Sequence, residues 1–220
     1  MSKFIVKVLE IEKITHDVLS IKLEKPNGYE YTAGQGAEIA INKENWDKET
    51  RPFTLTSIPS DSYLEFTIKA YPSHNGVTNE LLNLKVDDEI ILSKPWNSYS
   101  YKGEGVFIAG GTGITPFLSM LRQLKEDGKV GGNKLYFGNK TEEDIIHKDE
   151  FTSILNSNFI NVLSDEDNTN YEKGYITKEF IEKHNINKAT YFYICGPRPM
   201  TKSVVDALTE LGVNPENIFN

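Results

Sequence analysis

The spacing of apolar residues changes in character near residue 102. Before that point, short β-rich or alternating runs are separated by turn residues. Strands at this spacing are typical of a small antiparallel barrel or sandwich. The predicted strands are Lys3–Ile11, Val18–Leu23, Glu38–Asn42, Tyr63–Ala70 and Glu89–Ser93, and one short helix is predicted over Thr78–Leu84.

After residue 102, short apolar runs alternate with segments of helical spacing. The predicted strands are Gly105–Ala109, Lys134–Gly138, Phe159–Leu163 and Tyr191–Cys195. The predicted helices are Pro116–Lys125, Asp149–Leu155, Thr177–His184 and Met200–Leu211. Strict alternation of strands and helices predicts a parallel sheet covered on both faces. The sequence therefore predicts two domains, a β domain over residues 1–102 and an α/β domain over residues 103–220.

Composition and charge narrow the class of protein. The chain has 220 residues, of which 38% are hydrophobic and 25% charged, as in ordinary globular proteins. The net charge is −8 and positive charge is not clustered, which disfavours a nucleic-acid partner. The N-terminus has no apolar leader, and no apolar run approaches the roughly 18 residues of a membrane span. We therefore expect a cytoplasmic protein with no membrane partner; a monomer is our expectation for its oligomeric state, which these features do not themselves establish.

The cysteine and histidine content limits the metal chemistry. Cys195 is the single cysteine, so an intrachain disulfide and a cysteine-ligated iron–sulfur cluster are excluded for this chain. The four histidines are scattered without ligand spacing, so no metal site is predicted.

A glycine-rich turn, Gly110–Pro116, follows an apolar strand and opens a predicted helix. Glycines let a backbone approach a bulky anion, and a helix N-terminus offers unpaired N–H groups and partial positive charge. A pyrophosphate fits such a turn. The alternative is a tight strand–helix turn that needs positive φ. The turn is neither a Walker loop nor a standard GxGxxG motif.

A second motif, Cys195–Met200, also joins an apolar strand to a helix. The carboxyl ends of parallel strands lie at one edge of the sheet, so this motif is expected to share an edge with the glycine turn. The thiol is a candidate soft contact to a ligand, and the alternative is a buried structural cysteine. A cysteine nucleophile needs a base, and the sequence shows no such pairing.

The RPFTLTS segment (Arg51–Ser57) brings a cation, an aromatic ring and hydroxyl groups together in the β half. Arg51 is the only arginine in the first 121 residues, which suggests a bidentate contact to an oxyanion such as phosphate. The alternative is a surface strand with a salt-bridged arginine. Downstream, the turn Asn75–Asn79 is either a second phosphate contact or a simple helix cap.

These motifs, in the order RPFTLTS, GVTN, GGTGITP and CGPRPM, resemble the ferredoxin–NADP(+) reductase superfamily. The likeness is to flavodoxin and ferredoxin reductases and to oxygenase reductase modules without an iron–sulfur domain. It implies a flavin-binding antiparallel β-barrel followed by a nicotinamide-binding α/β domain. It also implies hydride transfer from NAD(P)H to flavin N5, then single-electron transfer to a protein acceptor such as flavodoxin, ferredoxin or an oxygenase component. The intact turn at Gly76–Thr78 resembles that of FAD-binding members, which favours FAD over FMN.

The resemblance assigns roles residue by residue. Arg51 is implied to bind the flavin phosphate, and Phe53 stands where relatives usually carry a tyrosine that stacks on the flavin. Thr54, near flavin N5, and Cys195, beside the nicotinamide, are the implied catalytic residues. The implied flavin contacts are Arg51, Pro52, Phe53, Thr54, Ser57, Ile68, Lys69, Gly76, Val77 and Thr78. The implied nicotinamide contacts are Gly111, Thr112, Gly113, Pro116, Asp165, Cys195, Gly196, Pro197 and Met200.

Two further features bear on the cofactors. The acidic stretch Asp165–Asp167 favours NADH over NADPH, because carboxylates repel a 2′-phosphate; Lys140 argues the other way, and the stretch could also be a solvated loop. Many relatives continue beyond the position of Phe219 with residues that cover the flavin. Either Phe219 plays a reduced version of that role, or the flavin face is more open.

Other functions remain open from sequence. The acceptor could instead be free flavin, a ferric complex or a haem protein. The chain could also be a non-catalytic, flavin-bearing electron-transfer subunit of a larger complex. A nucleotide-binding module without redox activity is the remaining alternative.

Overall fold

The computed structural model describes residues 3–184, 187 and 190–220. The chain divides into two compact units: the first comprises Met1–Ser100 together with Leu118–Gln123, and the second comprises Tyr101–Phe117 together with Leu124–Asn220. The division after Ser100 lies beside the boundary expected near residue 102. The assignment of Leu118–Gln123 to the first unit was not predicted from the sequence pattern.

The first unit is built on one antiparallel sheet of six strands in the order β4-β3-β6-β1-β2-β5. An isolated bridge between Leu55 and Phe66 joins the chain just after β4 to β5. This bridge brings the two edges of the sheet together, so the predicted antiparallel barrel is confirmed. The strands are β1 (Lys3–Lys13), β2 (Val18–Glu24), β3 (Gly36–Ile41), β4 (Arg51–Thr54), β5 (Tyr63–Lys69) and β6 (Glu89–Ser93).

Side chains of β5 alternate between two buried surfaces. Leu64, Phe66 and Ile68 point into the apolar barrel core. Glu65 and Thr67 lie on the opposite face, yet each is only 3% exposed. A polar face this deeply buried needs hydrogen-bond partners, because an unpaired polar group away from water is costly.

The helix predicted over Thr78–Leu84 is shorter than expected. Helix α1 covers only Val77–Glu80, and a 3₁₀ turn, Leu81–Asn83, follows it. Val77 and Leu81 pack into the barrel core. The apolar residues that suggested a regular helix are therefore buried by a shorter helix and a tighter turn.

The second unit has a six-stranded sheet in the order β10-β9-β8-β7-β11-β12, and every pair of neighbours is parallel. The strands are β7 (Gly105–Gly110), β8 (Lys134–Asn139), β9 (Phe159–Leu163), β10 (Glu172–Lys173), β11 (Tyr191–Cys195) and β12 (Ile218–Phe219). The helices are α2 (Thr115–Glu126), α3 (Lys148–Leu155), α4 (Lys178–Lys183) and α5 (Arg198–Glu210). The predicted parallel α/β architecture is confirmed.

Aromatic stacking holds the centre of this sheet. Tyr193 stacks on Phe107, with ring centroids 4.6 Å apart. The Tyr193 hydroxyl donates to the carbonyl of Gly103 (2.8 Å) and accepts from the N–H of Lys102 (2.9 Å). Phe219 of β12 stacks on the other side of Tyr193 at 5.5 Å. The Phe219 ring is therefore engaged in the second unit's own sheet.

Candidate functional site

Strand β4 presents Phe53 and Thr54, the central residues of the RPFTLTS segment. Both are half-buried, and β4 pairs with β3 so that Thr54 lies opposite Gly36. Phe53 packs against the barrel core. The Thr54 hydroxyl has no hydrogen-bond partner in the part of the chain that the structure describes. It can therefore donate to a ligand.

Arg51 begins the same strand, and its side chain is 46% exposed. The guanidinium donates to the carbonyl of Thr50 (2.7 Å) and to the carboxylate of Glu49 (3.2 Å). The ion pair that sequence reasoning left as an alternative is thus present. Exposed pairs of this kind contribute little stability, so a phosphate can displace the carboxylate at small cost.

Three other predicted flavin contacts are engaged within the protein. Ser57 is fully buried, and its hydroxyl oxygen lies 2.8 Å from the Tyr31 hydroxyl. The Ile68 side chain is buried in the barrel core, and Lys69 forms an ion pair with Asp17 (2.6 Å). A direct contact between these side chains and a cofactor stays a prediction.

The turn before α1 is open and carries an exposed aromatic pair. Apart from Gly76 and its two neighbours in the chain, no atom of the described residues lies within 4 Å of the position that a Cβ on Gly76 would take. The predicted contacts Val77 and Thr78 begin α1, where Val77 is buried and Thr78 is half-buried. Tyr71 and His74 stack nearly parallel, with centroids 5.3 Å apart, and both are exposed.

The first unit therefore offers a coherent set of groups for a flavin nucleotide. Phe53 supplies an aromatic face, Thr54 an unpaired hydroxyl and Arg51 an accessible cation. The open turn at Gly76 leaves room for a phosphate near the chain. These side chains fit an FAD, whose ring system and phosphates need those same kinds of contact.

In the second unit, the glycine turn and the cysteine motif are in direct contact. Cys195 lies opposite Ala109 in the pairing of β11 with β7, so both strands end at one edge of the sheet. A Cβ on Gly113 would collide with the carbonyl of Cys195, and one on Gly110 would collide with the sulfur of Met200. The expected common edge is confirmed, and glycine is required at position 113, where the backbones of the two loops approach.

The glycine turn leads directly into helix α2. Gly111 has φ +52°, and among the described residues other than its chain neighbours none comes within 4 Å of its Cβ position, so the turn is open above this residue. A 3₁₀ turn over Gly111–Ile114 contains Thr112 and continues into α2, where Pro116 lies in the first turn. The N-terminus of this 12-residue helix attracts negative charge. The arrangement fits the pyrophosphate of a dinucleotide.

The cysteine motif is accessible at its outer end. Cys195 and Gly196 are half-buried, whereas Pro197 and Arg198 are exposed where α5 begins. Met200 is half-buried and fills the space beside Gly110 and Gly196. Cys195 can therefore contact a ligand at this edge, and a contact between Met200 and the nicotinamide stays a prediction.

The acidic stretch after β9 is mostly engaged with the protein itself. The Glu166 carboxylate accepts from the N–H of Glu142 (2.7 Å), and Asp167 pairs with Lys173 (2.9 Å). Asp165 is exposed, and among the described residues its carboxylate accepts only from the neighbouring Ser164 hydroxyl (2.6 Å). Asp165 is thus the acid of this stretch best able to meet a ribose hydroxyl.

Glu142 is the centre of this network. Lys148 and Tyr171 donate to its carboxylate, and Asn168 donates to it at 3.0 Å. The hydrogen bond from the Lys148 ammonium holds the pKa of Glu142 below its usual range. The loops after β8 and β9 are tied together by these contacts.

Tyr175 is a candidate that sequence reasoning missed. Its side chain is 75% exposed, and it follows Gly174, which has φ +109°. Gly174 comes directly after β10, which runs parallel to β9, so Tyr175 lies at the same edge of the sheet as the acidic stretch. In the sequence this residue is visible only as an aromatic residue after a glycine. Its position at the edge of the sheet becomes clear only from the parallel pairing of β10 with β9.

Two findings limit other kinds of site. Within residues 3–184, 187 and 190–220, no three His, Cys, Asp or Glu side chains are grouped so that they could hold a metal ion. No helix in the described part of the chain is both long enough and apolar enough to cross a membrane.

Comparison with known families agrees with both halves of this description. Residues 3–94 match the model of an FAD-binding domain, and residues 107–206 match that of an oxidoreductase NAD-binding domain. The chain belongs to the ferredoxin–NADP(+) reductase superfamily. Its cofactors are accordingly FAD and a nicotinamide dinucleotide.

This chain is similar to reductases of oxygenase systems. It is 31% identical to the reductase component of propane 2-monooxygenase from Mycolicibacterium goodii, over 97% of this chain and 65% of the relative. It is also 31% identical to the ferredoxin–NAD(P)(+) reductase component of the naphthalene 1,2-dioxygenase/salicylate 5-hydroxylase systems from Ralstonia sp, over 96% of this chain and 66% of that protein. The chain thus spans less than two thirds of these relatives.

A solved structure shows the same fold. A ferredoxin NADP+ reductase from Neisseria gonorrhoeae, solved with bound FAD and NADP, aligns with a TM-score of 0.85 at 19% identity. The alignment covers 100% of this superfamily member and 98% of the other chain.

Proposed function

We propose that this chain is a flavoprotein reductase that takes a hydride from a reduced nicotinamide dinucleotide and delivers electrons to a redox protein. The observation that carries the proposal is the direct packing of the glycine turn on the Cys195 strand end. This packing builds an open, glycine-lined edge beside a half-buried thiol in the unit that matches an NAD-binding domain.

A bound flavin supplies the redox chemistry, because it accepts two electrons as hydride and can release them singly. The chain's own residues bind and orient it. Arg51 pairs with the phosphate, and the Phe53 ring lies against the ring system. The Thr54 hydroxyl, which has no partner in the described protein, donates a hydrogen bond at the position that reacts.

The second unit orients the nicotinamide dinucleotide. The N–H groups at the start of α2 hold the pyrophosphate, and the open space at Gly111 lets it approach the backbone. Cys195 packs against the nicotinamide and sets its approach without forming a covalent bond. Holding the reacting groups in place supplies much of the rate enhancement in such a transfer.

We propose NADH as the preferred donor. Asp165 is the exposed, locally unpaired acid at the edge of the sheet, and a carboxylate there accepts from the ribose 2′-hydroxyl and repels a 2′-phosphate. Tyr175, exposed at the same edge, offers its ring to the adenine. Lys140 is also exposed and is the residue that opposes this preference.

We further propose that the electron acceptor is an oxygenase component or the ferredoxin that serves it. Support comes from the relatives, which are named as reductase components of monooxygenase and dioxygenase systems. Reduction of free flavin, ferric complexes or haem proteins is the competing possibility.

The deciding experiment is anaerobic titration of the FAD-loaded protein with NADH and, separately, with NADPH. We expect a flavin spectrum that NADH bleaches faster than NADPH does. A flavin that neither nucleotide bleaches would support the non-catalytic, electron-carrying subunit instead. A protein that stays colourless after incubation with FAD or FMN would overturn the flavoprotein assignment altogether.

A further inference from the structure

A buried polar network occupies the face of β5 that points away from the barrel core. Glu65 is 3% exposed and Thr56 is fully buried. The Glu65 carboxylate accepts from the Thr56 hydroxyl (2.9 Å) and from the Arg122 guanidinium (2.9 Å). Thr67 donates to the Thr56 hydroxyl oxygen (3.3 Å). The polar face of β5 is thus satisfied by the chain just after β4 and by an arginine distant in sequence.

Side chains of the helix segment Leu118–Gln123, which belongs to the first unit, also bind backbone carbonyls of the segment just after β4. The Arg122 guanidinium donates to the carbonyl of Thr56 (2.8 Å) as well as to Glu65. The Ser119 hydroxyl donates to the carbonyl of Ser57 (3.0 Å). Two successive carbonyls of the RPFTLTS segment are therefore held by one turn of helix.

The hydroxyl of Ser57 is held by hydrogen bonds as well as its carbonyl. Its hydroxyl accepts from the N–H of Glu65 (2.9 Å) and lies 2.8 Å from the Tyr31 hydroxyl. Tyr31 in turn donates to the carbonyl of Ile58 (2.7 Å). Burial raises the pKa of Tyr31 well above its usual value, so its hydroxyl remains a donor.

Stability alone does not call for these charges. Taking a carboxylate and a guanidinium out of water is costly, and apolar residues of similar volume often stabilise a protein equally well. A fully satisfied buried network instead fixes the position of the groups that it binds. Here those groups are the backbone and hydroxyls of Thr56 and Ser57, immediately after Thr54.

Strand β4 needs such anchoring. It has four residues that pair with β3, and the chain after Thr54 is linked onward by the isolated bridge at Leu55, by the Leu55 N–H to the carbonyl of Gln35 (3.0 Å) and by the Thr56 N–H to the carbonyl of Glu65 (2.8 Å). A short strand at the edge of a sheet has few contacts and opens locally at a lower cost than a central strand, so contacts at its end help to hold it in place. The network begins where the β4 ladder stops.

We infer that Glu65 and Arg122 are positioning residues for the flavin site, an inference that rests on the function proposed above. Glu65 is too deeply buried to meet a cofactor. The pair acts through the backbone of Thr56 and Ser57, which sets where Phe53 and Thr54 stand against the flavin. Loss of the pair should therefore change the flavin's environment and not only the protein's stability.

The test compares Glu65→Gln and Arg122→Lys with a control, Lys43→Met. The first variant removes the charge at nearly constant volume, and the second keeps the charge but loses the planar fork. Lys43 forms an exposed ion pair with Asp88 (2.9 Å) in the same unit, so its loss reports the effect of a surface pair. For each protein we would measure the thermal midpoint, the FAD dissociation constant, the visible circular dichroism of the flavin and its midpoint potential.

We expect Glu65→Gln to weaken FAD binding about tenfold and to shift the flavin dichroism and potential. Arg122→Lys should change FAD binding, the flavin dichroism and the potential in the same direction but by less. Lys43→Met should leave all three unchanged. A fall in thermal midpoint with wild-type flavin properties in both variants would overturn the inference. If Glu65→Gln does not fold, Arg122→Lys decides by the same criteria. Wild-type protein that fails to bind FAD would instead overturn the proposed function and the inference with it.

Discussion

At the scale of single residues, a side chain that already has hydrogen-bond partners in the protein is less available to a ligand than one that has none. The Thr54 hydroxyl has no partner among the described residues, whereas the hydroxyls of Thr56 and Ser57 are engaged in the buried network. All three stand in one short segment and have similar chemistry. Their surroundings decide which one is available to a ligand.

Replacing Thr54 by valine tests this distinction. Valine keeps the shape and removes the donor, so we expect hydride transfer from NADH to slow about tenfold to a hundredfold while FAD binding changes little. Stopped-flow reduction and an FAD titration measure the two effects separately. Thr54→Ser, which keeps the hydroxyl, is the matched control. Wild-type reduction rates in Thr54→Val would remove Thr54 from the mechanism.

Asp165 and Asp167 form a natural pair of variants for coenzyme choice. Asp165→Asn removes the charge that is free to meet a ribose, so we expect the ratio of kcat/KM for NADH over NADPH to fall about tenfold. Asp167→Asn removes a carboxylate that is 83% exposed and paired with Lys173, and should leave the ratio unchanged. Equal effects of both variants would mean that overall charge, and not Asp165, sets the preference.

Sequence reasoning placed the motifs in the fold, whereas the contacts assigned to individual side chains stay predictions. The glycine turn and the cysteine motif could be placed at one edge because parallel strands end together. Ser57 and Ile68 were assigned as flavin contacts by resemblance, and the structure buries both side chains. Alternation along a strand could not reveal this, since β5 is buried on both of its faces.

At the scale of elements, long periodic segments were predictable and two-residue strands were not. The bounds of β9 and β11 are those that the apolar runs predict. Strands β10 and β12 contain two residues each, too few to show any period. Both extend the second sheet at its edges, and their pairing depends on tertiary contacts.

The end of helix α4 carries a half-buried histidine whose titration should be measurable. His184 packs on Phe180 at 4.4 Å and on Tyr136 at 5.4 Å, and its Nε2 has no hydrogen-bond partner among the described residues. Burial lowers the pKa of His184 below its usual value, although nearby Glu172 opposes this. The unfolded chain then binds the proton more readily than the folded protein does.

The free energy of unfolding should therefore fall as the pH drops through about 6.5, the ordinary pKa of histidine. Above that pH the stability contributed by keeping His184 neutral should be fully present. His184→Phe keeps a ring and removes the titration, so its loss of stability between pH 7 and 5 should be smaller than that of the wild type. Urea unfolding at several pH values measures both. His16→Phe, at an exposed histidine, is the control. Parallel pH profiles for wild type and His184→Phe would contradict the prediction.

At the scale of the whole molecule, charge governs encounters with other proteins. The net charge of −8 should speed association with a basic acceptor and slow it with an acidic one. Screening strengthens as the Debye length falls from about 30 Å at 0.01 M salt to about 10 Å at 0.1 M.

We therefore expect reduction of a basic redox protein, such as a cytochrome c, to slow severalfold over that range of salt. An uncharged quinone serves as the control acceptor, and its reduction should not depend on salt. A basic acceptor reduced equally fast at both concentrations would show that a local surface, and not the overall charge, controls the encounter.

The grouping of Leu118–Gln123 with the first unit has a consequence for recombination. A chimaera that joins the first 100 residues of this protein to the second half of a relative inherits Glu65 from one parent and position 122 from the other. If that relative lacks a cation at the position, a carboxylate is left buried without its partner. Exchange between such genes at a single crossover is thereby constrained, and a viable graft has to carry Arg122 along with the barrel.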